Sequence, residues 1–390
     1  MISLSNKLII SRIKENTILA FKFIDDKIFG IYYCDANNIV GNIYVGIVSD
    51  VLKNINAAFI GFDKGLKGYY LINDNKPLYL NNKNTDKICQ GDRILVQVSS
   101  DKVKTKDYTL TSNITFTGKY VVLTVGKTGI NISRKISDNN LRKQIKEHFS
   151  CFQNEEYGFI IRTGCNLETL ADAKKEASAF VENWVALKEK AMHITAGAIV
   201  SKTDSDIVRL SLENYHKDID EIITDDKEIL DELLSNEILA QSGVVRFYED
   251  TGFSLSKMYN LDKIISGALS KKVWLKSGAY LVLEPTEALH VIDVNTGKAD
   301  LKGNREDVFL KINLEAARAI ALEIRKRNLS GIIIIDFINM KNEDNNKLIL
   351  EEMKRLVSTD SVTTTVAGLT NLGLMEITRK RIKKPLSELL

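Results

Sequence analysis

Two apolar, β-branched runs in the last third of the chain each stop at an aspartate: ALHVID ends at Asp293 and GIIIID at Asp336. Between them Leu310, Leu314, Ala317, Ala321 and Ile324 recur at three- to four-residue spacing, which marks a helix with one apolar face, and Gly331 is read as its stop. Strand, helix and strand in this order predict parallel pairing through a right-handed crossover. Parallel neighbours then bring both terminal carboxylates to one sheet edge, where α/β sheets place their ligands.

Like charges held close are unfavourable unless a cation lies between them, and an oxygen-only ligand set suits a hard ion such as Mg2+ that keeps several waters. Asn295 stands two residues beyond Asp293, so strand alternation turns it to the same side, where an amide can orient a carboxylate or a phosphate. A lone aspartate at a strand end most often caps a turn or helix. A pair at one edge points instead to metal-assisted phosphodiester hydrolysis. Phosphoryl transfer fits the pair nearly as well, but the chain has no G-x-x-x-x-G-K-[ST] phosphate loop. His148, His193, His216 and His290 are isolated, and His290 inside a strand run reads as a core residue. The elbow and partner motifs of serine hydrolases and cysteine proteases are missing.

Elsewhere the sequence is more permissive. With 390 residues, 44% hydrophobic and 27% charged, the chain can build two or more cores. Its longest apolar runs, such as Ile332 to Ile335, are far shorter than the roughly 20 residues of a membrane span. The start, MISLSNKLIISRIKEN, has no apolar block before a small-residue cleavage site, so a cytoplasmic location and no membrane segment are expected. Cys34, Cys89, Cys151 and Cys165 form no C-x-x-C pair and are expected to be reduced thiols without zinc. A net charge of +3, from 54 basic and 51 acidic residues, decides nothing about nucleic acid.

Along the chain, KLIISRIKENTILAFKFIDDKIFGIYY predicts three strands of a β-meander, broken at Lys14 to Asn16 and at Asp25 to Lys27. From Gly41 to about Asn113, short strands with Gly61, Gly65, Gly68 and Gly91 between them predict a small β-barrel. Further strands are expected near Tyr120 to Val125 and Gly158 to Arg162. Leu170, Ala173, Ala177, Phe180, Trp184 and Leu187 then mark the buried stripe of a helix. Asp204 to Leu234 is helical in period but acidic, and reads as a solvated helix face. No linker, repeat or low-complexity run separates these regions, and the chain has only three prolines.

The segment SGAYLVLEPTEALHVIDVNTGKAD, followed by NLEAARAIALEIRKRNLSGIIIIDFINM and LGLMEITRKR, resembles the catalytic core of the ribonuclease E/G family. The likeness runs over essentially the whole chain, its first 40 residues matching only in general character. It implies an α+β multidomain chain in which an RNase H-like part (1–37 and 206–268) is interrupted by an OB-fold (S1-type) barrel at 38–112 and a 5′-end sensor region at 113–205. A DNase I-like α/β catalytic part at 269–390 follows. The implied activity is Mg2+-dependent endonucleolytic cleavage of single-stranded RNA in RNA processing and decay.

Carried over residue by residue, the family's two Mg2+-binding aspartates match Asp293 and Asp336, and its asparagine beside the scissile phosphate matches Asn295. NINAAFIGF and KGYYLI resemble the RNA-gripping segments of the barrel, so Phe59 and Tyr69 match aromatics that contact bases and Lys106 a basic residue near the RNA. Tyr69 and Tyr70 must face opposite sides of a strand, so one of the two is expected at the surface. GFIIRTG resembles the 5′-phosphate clamp, giving Arg162 and Thr163 its contacts, with Gly118 and Val122 shaping the pocket.

Four departures stand out. GCNLE follows Arg162–Thr163 where the family has small residues and a glycine, SSDKVKTKDY lacks the glycines of a basic loop, and Asn339 replaces the second acid of IDFIDM. The chain also ends at Leu390 without the family's Cys-Pro-x-Cys zinc link, so a homo-oligomer built without zinc is expected. Asn339 and the altered loops support a rival expectation, an RNA-binding protein of the same fold with weak or lost catalysis. A DNA-directed nuclease is the second rival, which the resemblance disfavours.

Overall fold

The N-terminal alternation forms an antiparallel meander, Lys7–Lys14, Thr17–Ile24 and Lys27–Cys34. Asp25 and Asp26 make its second turn at φ of 51° and 57°, a left-handed region that short polar side chains tolerate. The computed structural model describes residues 5–390 except 16, 36–37, 81–82, 84–86, 103–106, 134–135, 216–218, 251, 287 and 301. The chain divides into two units, Met1–Ala36 with Asp206–Leu390, and Asn37–Ser205.

In the first unit the meander continues into a five-stranded sheet. Glu221–Thr224 pairs in parallel with Lys7–Lys14, and Val245–Phe247 pairs in parallel with Glu221–Thr224. This corrects the expectation of a solvated helix face over Asp204 to Leu234. Helices Asp206–Tyr215 and Lys227–Leu234 flank a buried strand, and Ile207, Val208, Ile222, Ile229 and Leu233 pack with Leu8 and Ile10. The acids that suggested exposure have structural work. Asp226 caps the second helix through the amides of Glu228 and Ile229 and meets Arg12 at 2.6 Å. Burial pushes its carboxyl up, but the Arg12 hydrogen bond and the cap amides outweigh this and hold it below the usual range.

The second sheet of this unit runs Lys272–Trp274, Tyr280–Pro285, Leu289–Asn295, Gly331–Asp336, Met375–Arg379, Thr364–Leu369. Only the Leu289–Asn295 and Gly331–Asp336 strands are parallel, joined through the helix Arg305–Arg327. That helix starts at Asn304, whose side chain accepts the Glu306 amide, and ends at Asn328 in the left-handed region rather than at Gly331. Asparagine adopts that conformation readily, so the stop lies three residues before the glycine that opens the next strand. Ile312, Ala316, Ala317, Ile320, Ala321 and Ile324 pack on Leu281, Leu283, Ile292, Val294, Ile333 and Ile335. Each such Ile or Leu contributes roughly 1.5–3 kcal/mol of burial, and the alanines let helix and sheet approach closely. Helix Glu343–Val357 covers the same core with Ile349, Met353 and Val357.

In the second unit Ile43–Leu52, Ala57–Phe62, Leu66–Leu71, Tyr108–Thr111 and Arg93–Ser100 pair in that order, and the last pairs back to the first, closing a five-stranded barrel. Gly129–Ile132, Tyr157–Ile161, Val121–Val125 and Thr115–Thr117 form a four-stranded sheet, against which helix Leu170–His193 lays Ala173, Ala177, Trp184 and Leu187. The chain is thus mixed α+β with a closed barrel. No described helix is long and apolar enough to cross a membrane.

Candidate active site

The register of the parallel pair sets Asp293 directly opposite Asp336. Neighbours Ile292, Val294, Ile335 and Phe337 are buried in the helix-covered core, so alternation turns both aspartates to the other face. Asp336 is exposed as a residue, and partial desolvation at the strand end together with the Asp293 charge pushes its pKa up. Asn295 donates from Nδ2 to Asp293 Oδ2 at 2.7 Å, fixing one carboxylate oxygen. Among the described residues no third His, Cys, Asp or Glu completes a metal cluster with the pair.

Two facing carboxylates, one of them resisting ionisation, fit a divalent cation that takes most of its shell from water and substrate. His290 lies on the opposite face from Asp293 and is half-buried; burial followed by the nearby Arg381 charge lowers its pKa. All four cysteines are free, Cys34 and Cys165 buried, Cys89 and Cys151 exposed.

One positioning residue escaped the sequence. Asn313 is fully buried in the helix between the two strands; its Nδ2 donates to the Ile338 carbonyl at 2.8 Å and its Oδ1 accepts the Ile338 amide at 3.0 Å. The chain leaving Asp336 is thereby pinned to the helix. A polar side chain inside the apolar stripe, three residues after Leu310, was the available signal. Asn339 stands just beyond, its amide oxygen by Gly373, in a cavity also lined by Asn346, Asn371 and Leu372.

On the barrel, Phe59 and Tyr69 are cross-strand partners with ring centroids 6.1 Å apart, both half-buried. Tyr70 points inward and donates to Ser112 Oγ at 3.0 Å, so Tyr69 is the tyrosine at the surface. Lys106 lies outside the described residues.

In the four-stranded sheet Val122 pairs with Ile160, which is exposed, and Arg162 and Thr163 follow at the strand end. Arg162 is half-buried, donates through Nη1 to the Gly118 carbonyl, and has no ion-pair partner among the described residues. Glu176 fixes that carbonyl's turn. Its carboxylate accepts the consecutive amides of Lys119, Tyr120 and Val121 at 2.7, 2.8 and 2.9 Å. A Cβ on Gly118 would fall 2.3 Å from the same carboxylate, so glycine is required there to admit Glu176. The sequence signal was an acid on the helix stripe, three residues after Ala173. The GCNLE departure forms a self-closed loop: Asn166 and Thr169 exchange side-chain-to-amide bonds at 2.9 Å, and Cys165 is buried.

A family model described as the ribonuclease E/G family matches residues 115–382. Ribonuclease E of Nostoc sp. is 31% identical over 386 residues, covering 97% of this chain. Ribonuclease G of Escherichia coli is 32% identical over 367 residues, covering 90% of this chain and 75% of its own length. The chain spans just over half, 56%, of the Nostoc protein.

Proposed function

The chain belongs to the ribonuclease E/G family, and from that premise we propose that it is an endoribonuclease that hydrolyses single-stranded RNA at the Asp293–Asp336 pair. The observation that carries this reading is the register: two carboxylates opposite one another on adjacent parallel strands, on the face the helices leave open. Asp293 and Asp336 are the residues that would hold Mg2+, which when bound supplies Lewis acidity toward the phosphate and the attacking water. Asn295 fixes the orientation of Asp293 and has a second Nδ2 hydrogen left to donate to the scissile phosphate. Asn313 keeps Asp336 and the following segment in place.

The fold supports a finer assignment in the same terms: RNase H-like segments at 1–37 and 206–268, an OB-type barrel at 38–112, a sensor region at 113–205 and a DNase I-like part at 269–390. In the barrel, Phe59 and Tyr69 are the base-stacking pair, since an aromatic platform grips single strands without regard to sequence. In the sensor, Arg162 is poised for a 5′-monophosphate: a cation without an acidic partner among the described residues, steered by the Gly118 carbonyl. Asn339 removes one carboxylate beside the site but leaves the facing pair intact, which favours retained catalysis over the binding-only alternative.

The test is a 5′-monophosphorylated, AU-rich single-stranded RNA incubated with and without Mg2+. Internal cuts that need the ion and leave 5′-phosphate ends are expected. RNA bound tightly but left whole would establish the binding-only alternative.

A further inference from the structure

The face that carries Asp293 and Asp336 also holds an aromatic cluster. Val273, Leu281 and Leu283 pack into the helix-covered core, so Lys272, Trp274, Tyr280 and Val282 turn to the aspartate side. The register builds two rows across the sheet. One runs Lys272, Val282, Asp293, Asp336; the other runs Trp274, Tyr280, Asn295. With strands about 4.8 Å apart, Tyr280 is the immediate neighbour of Asn295 and Trp274 lies about 10 Å from it.

The rings of Trp274 and Tyr280 are 5.2 Å apart at 57°, and Lys272 Nζ sits 4.3 Å from the indole centroid and 3.5 Å from the phenol centroid. Gly297 seats the tyrosine, since a Cβ there would fall 2.8 Å from its ring. Trp274 remains 55% exposed, whereas the chain's other tryptophan, Trp184, is fully buried. Pairing across an edge strand stabilises a sheet by no more than about 1 kcal/mol and does not require a large indole left in water.

We propose that Trp274 and Tyr280 form a stacking subsite for the base of a nucleotide flanking the scissile phosphate, with the Lys272 ammonium released from the rings to a neighbouring phosphodiester. The inference rests on the endoribonuclease reading and extends it to a substrate position outside the barrel. The occupant is single-stranded RNA because the cluster continues the row of Asn295 and combines π-faces with a cation, the pairing that bases and backbone phosphates match.

Two measurements on the full chain decide it. In EDTA, where metal-dependent cleavage cannot proceed, an oligouridylate is titrated against tryptophan emission, with Trp274→Phe supplying the Trp184 background. RNA should quench the Trp274 emission and protect it from acrylamide. In Mg2+, Trp274→Ala should lower kcat/KM by about 5- to 150-fold, the equivalent of 1–3 kcal/mol per stacked base, and Trp274→Phe should restore most of it. Abasic nucleotides walked across the cut should include one position that impairs the wild type but adds nothing in Trp274→Ala. RNA that binds, by anisotropy of a labelled strand, without changing Trp274 emission would overturn the proposal, as would abasic effects that add to the substitution at every position. Emission that follows protein concentration instead of RNA would also overturn it, marking the face as a contact between copies. Absence of cleavage by the wild type would refute the hydrolytic reading alone, because the emission experiment needs no turnover.

Discussion

The aspartate edge of the mixed sheet and the Arg162 turn of the second unit are both strand ends that present charge, and they are completed in opposite ways. At the first, the fold sets two like charges face to face, and among the described residues one side-chain amide, that of Asn295, donates to them. At the second, the protein provides its own counterpart: Glu176 fills a nest of three amides and Gly118 accepts from Arg162. The first arrangement is relieved by a proton or a bound cation. The second is assembled before any ligand arrives, which lowers the ordering cost of binding. On the proposed function, the incomplete site would draw its ligand into the chemistry and the pre-assembled one would read the end of an RNA.

The largest effects should come from breaking the incomplete site. Asp293→Asn or Asp336→Asn is expected to cut turnover by about 100-fold or more with RNA affinity nearly unchanged, because the metal acts mainly in the transition state. Cleavage assays beside binding titrations check this, and retained cleavage removes that residue from the site. The same comparison predicts a stability effect of definite sign. Because the Asp336 pKa is raised in the folded state, the stability linked to its protonation is present at low pH and lost as pH rises through that raised value. Without divalent ions, Asp336→Asn should therefore melt higher than the wild type at neutral pH, and the gap should close on acidification. A lower melting temperature at neutral pH would show that the pair is not repulsive.

Next in size are the barrel aromatics. Phe59→Ala and Tyr69→Ala should each weaken single-stranded RNA binding by roughly 1–3 kcal/mol with little loss of melting temperature. Unfolding without a specific binding defect would make them core residues.

Changes of similar or smaller size should sharpen the pre-assembled site. Arg162→Ala should reduce the cleavage ratio of monophosphorylated to hydroxyl-ended RNA by about 10- to 150-fold, from a lost charge-assisted contact of roughly 1.5–3 kcal/mol. Glu176→Gln should lower the same ratio by about 3-fold while also lowering the melting temperature, because an amide NH2 must then face backbone donors. A ratio unmoved by Glu176→Gln, with Arg162→Ala effective, would detach the nest from the clamp.

The sequence displayed what depends on period and lost what depends on partners. Apolar runs with a helix between them announced the parallel strands and the common edge, because strand alternation leaves few other placements for Asp293, Asn295 and Asp336. The strand Glu221–Thr224 was hidden by acids that turned out to cap a helix and to pair with Arg12. Composition cannot tell a solvated carboxylate from one with a designated partner. Asn313 and Glu176 were passed over for a related reason: each is a polar residue on an apolar helix stripe, and only the fold shows which loop amides it reaches. The Trp274 cluster needed the register of three strands, since Lys272, Tyr280 and Asn295 are too far apart in sequence for any local pattern to join them.

The most direct test is to count Mn2+ ions by electron paramagnetic resonance in the presence of RNA, with Mg2+ as competitor, for the wild type and for the Asp293→Asn and Asp336→Asn variants. One Mg2+-displaceable ion per chain, lost in each variant together with cleavage, is the predicted result. Variants that keep the ion, or a wild type that cleaves RNA without binding one, would contradict the assignment of the facing carboxylates as the metal site.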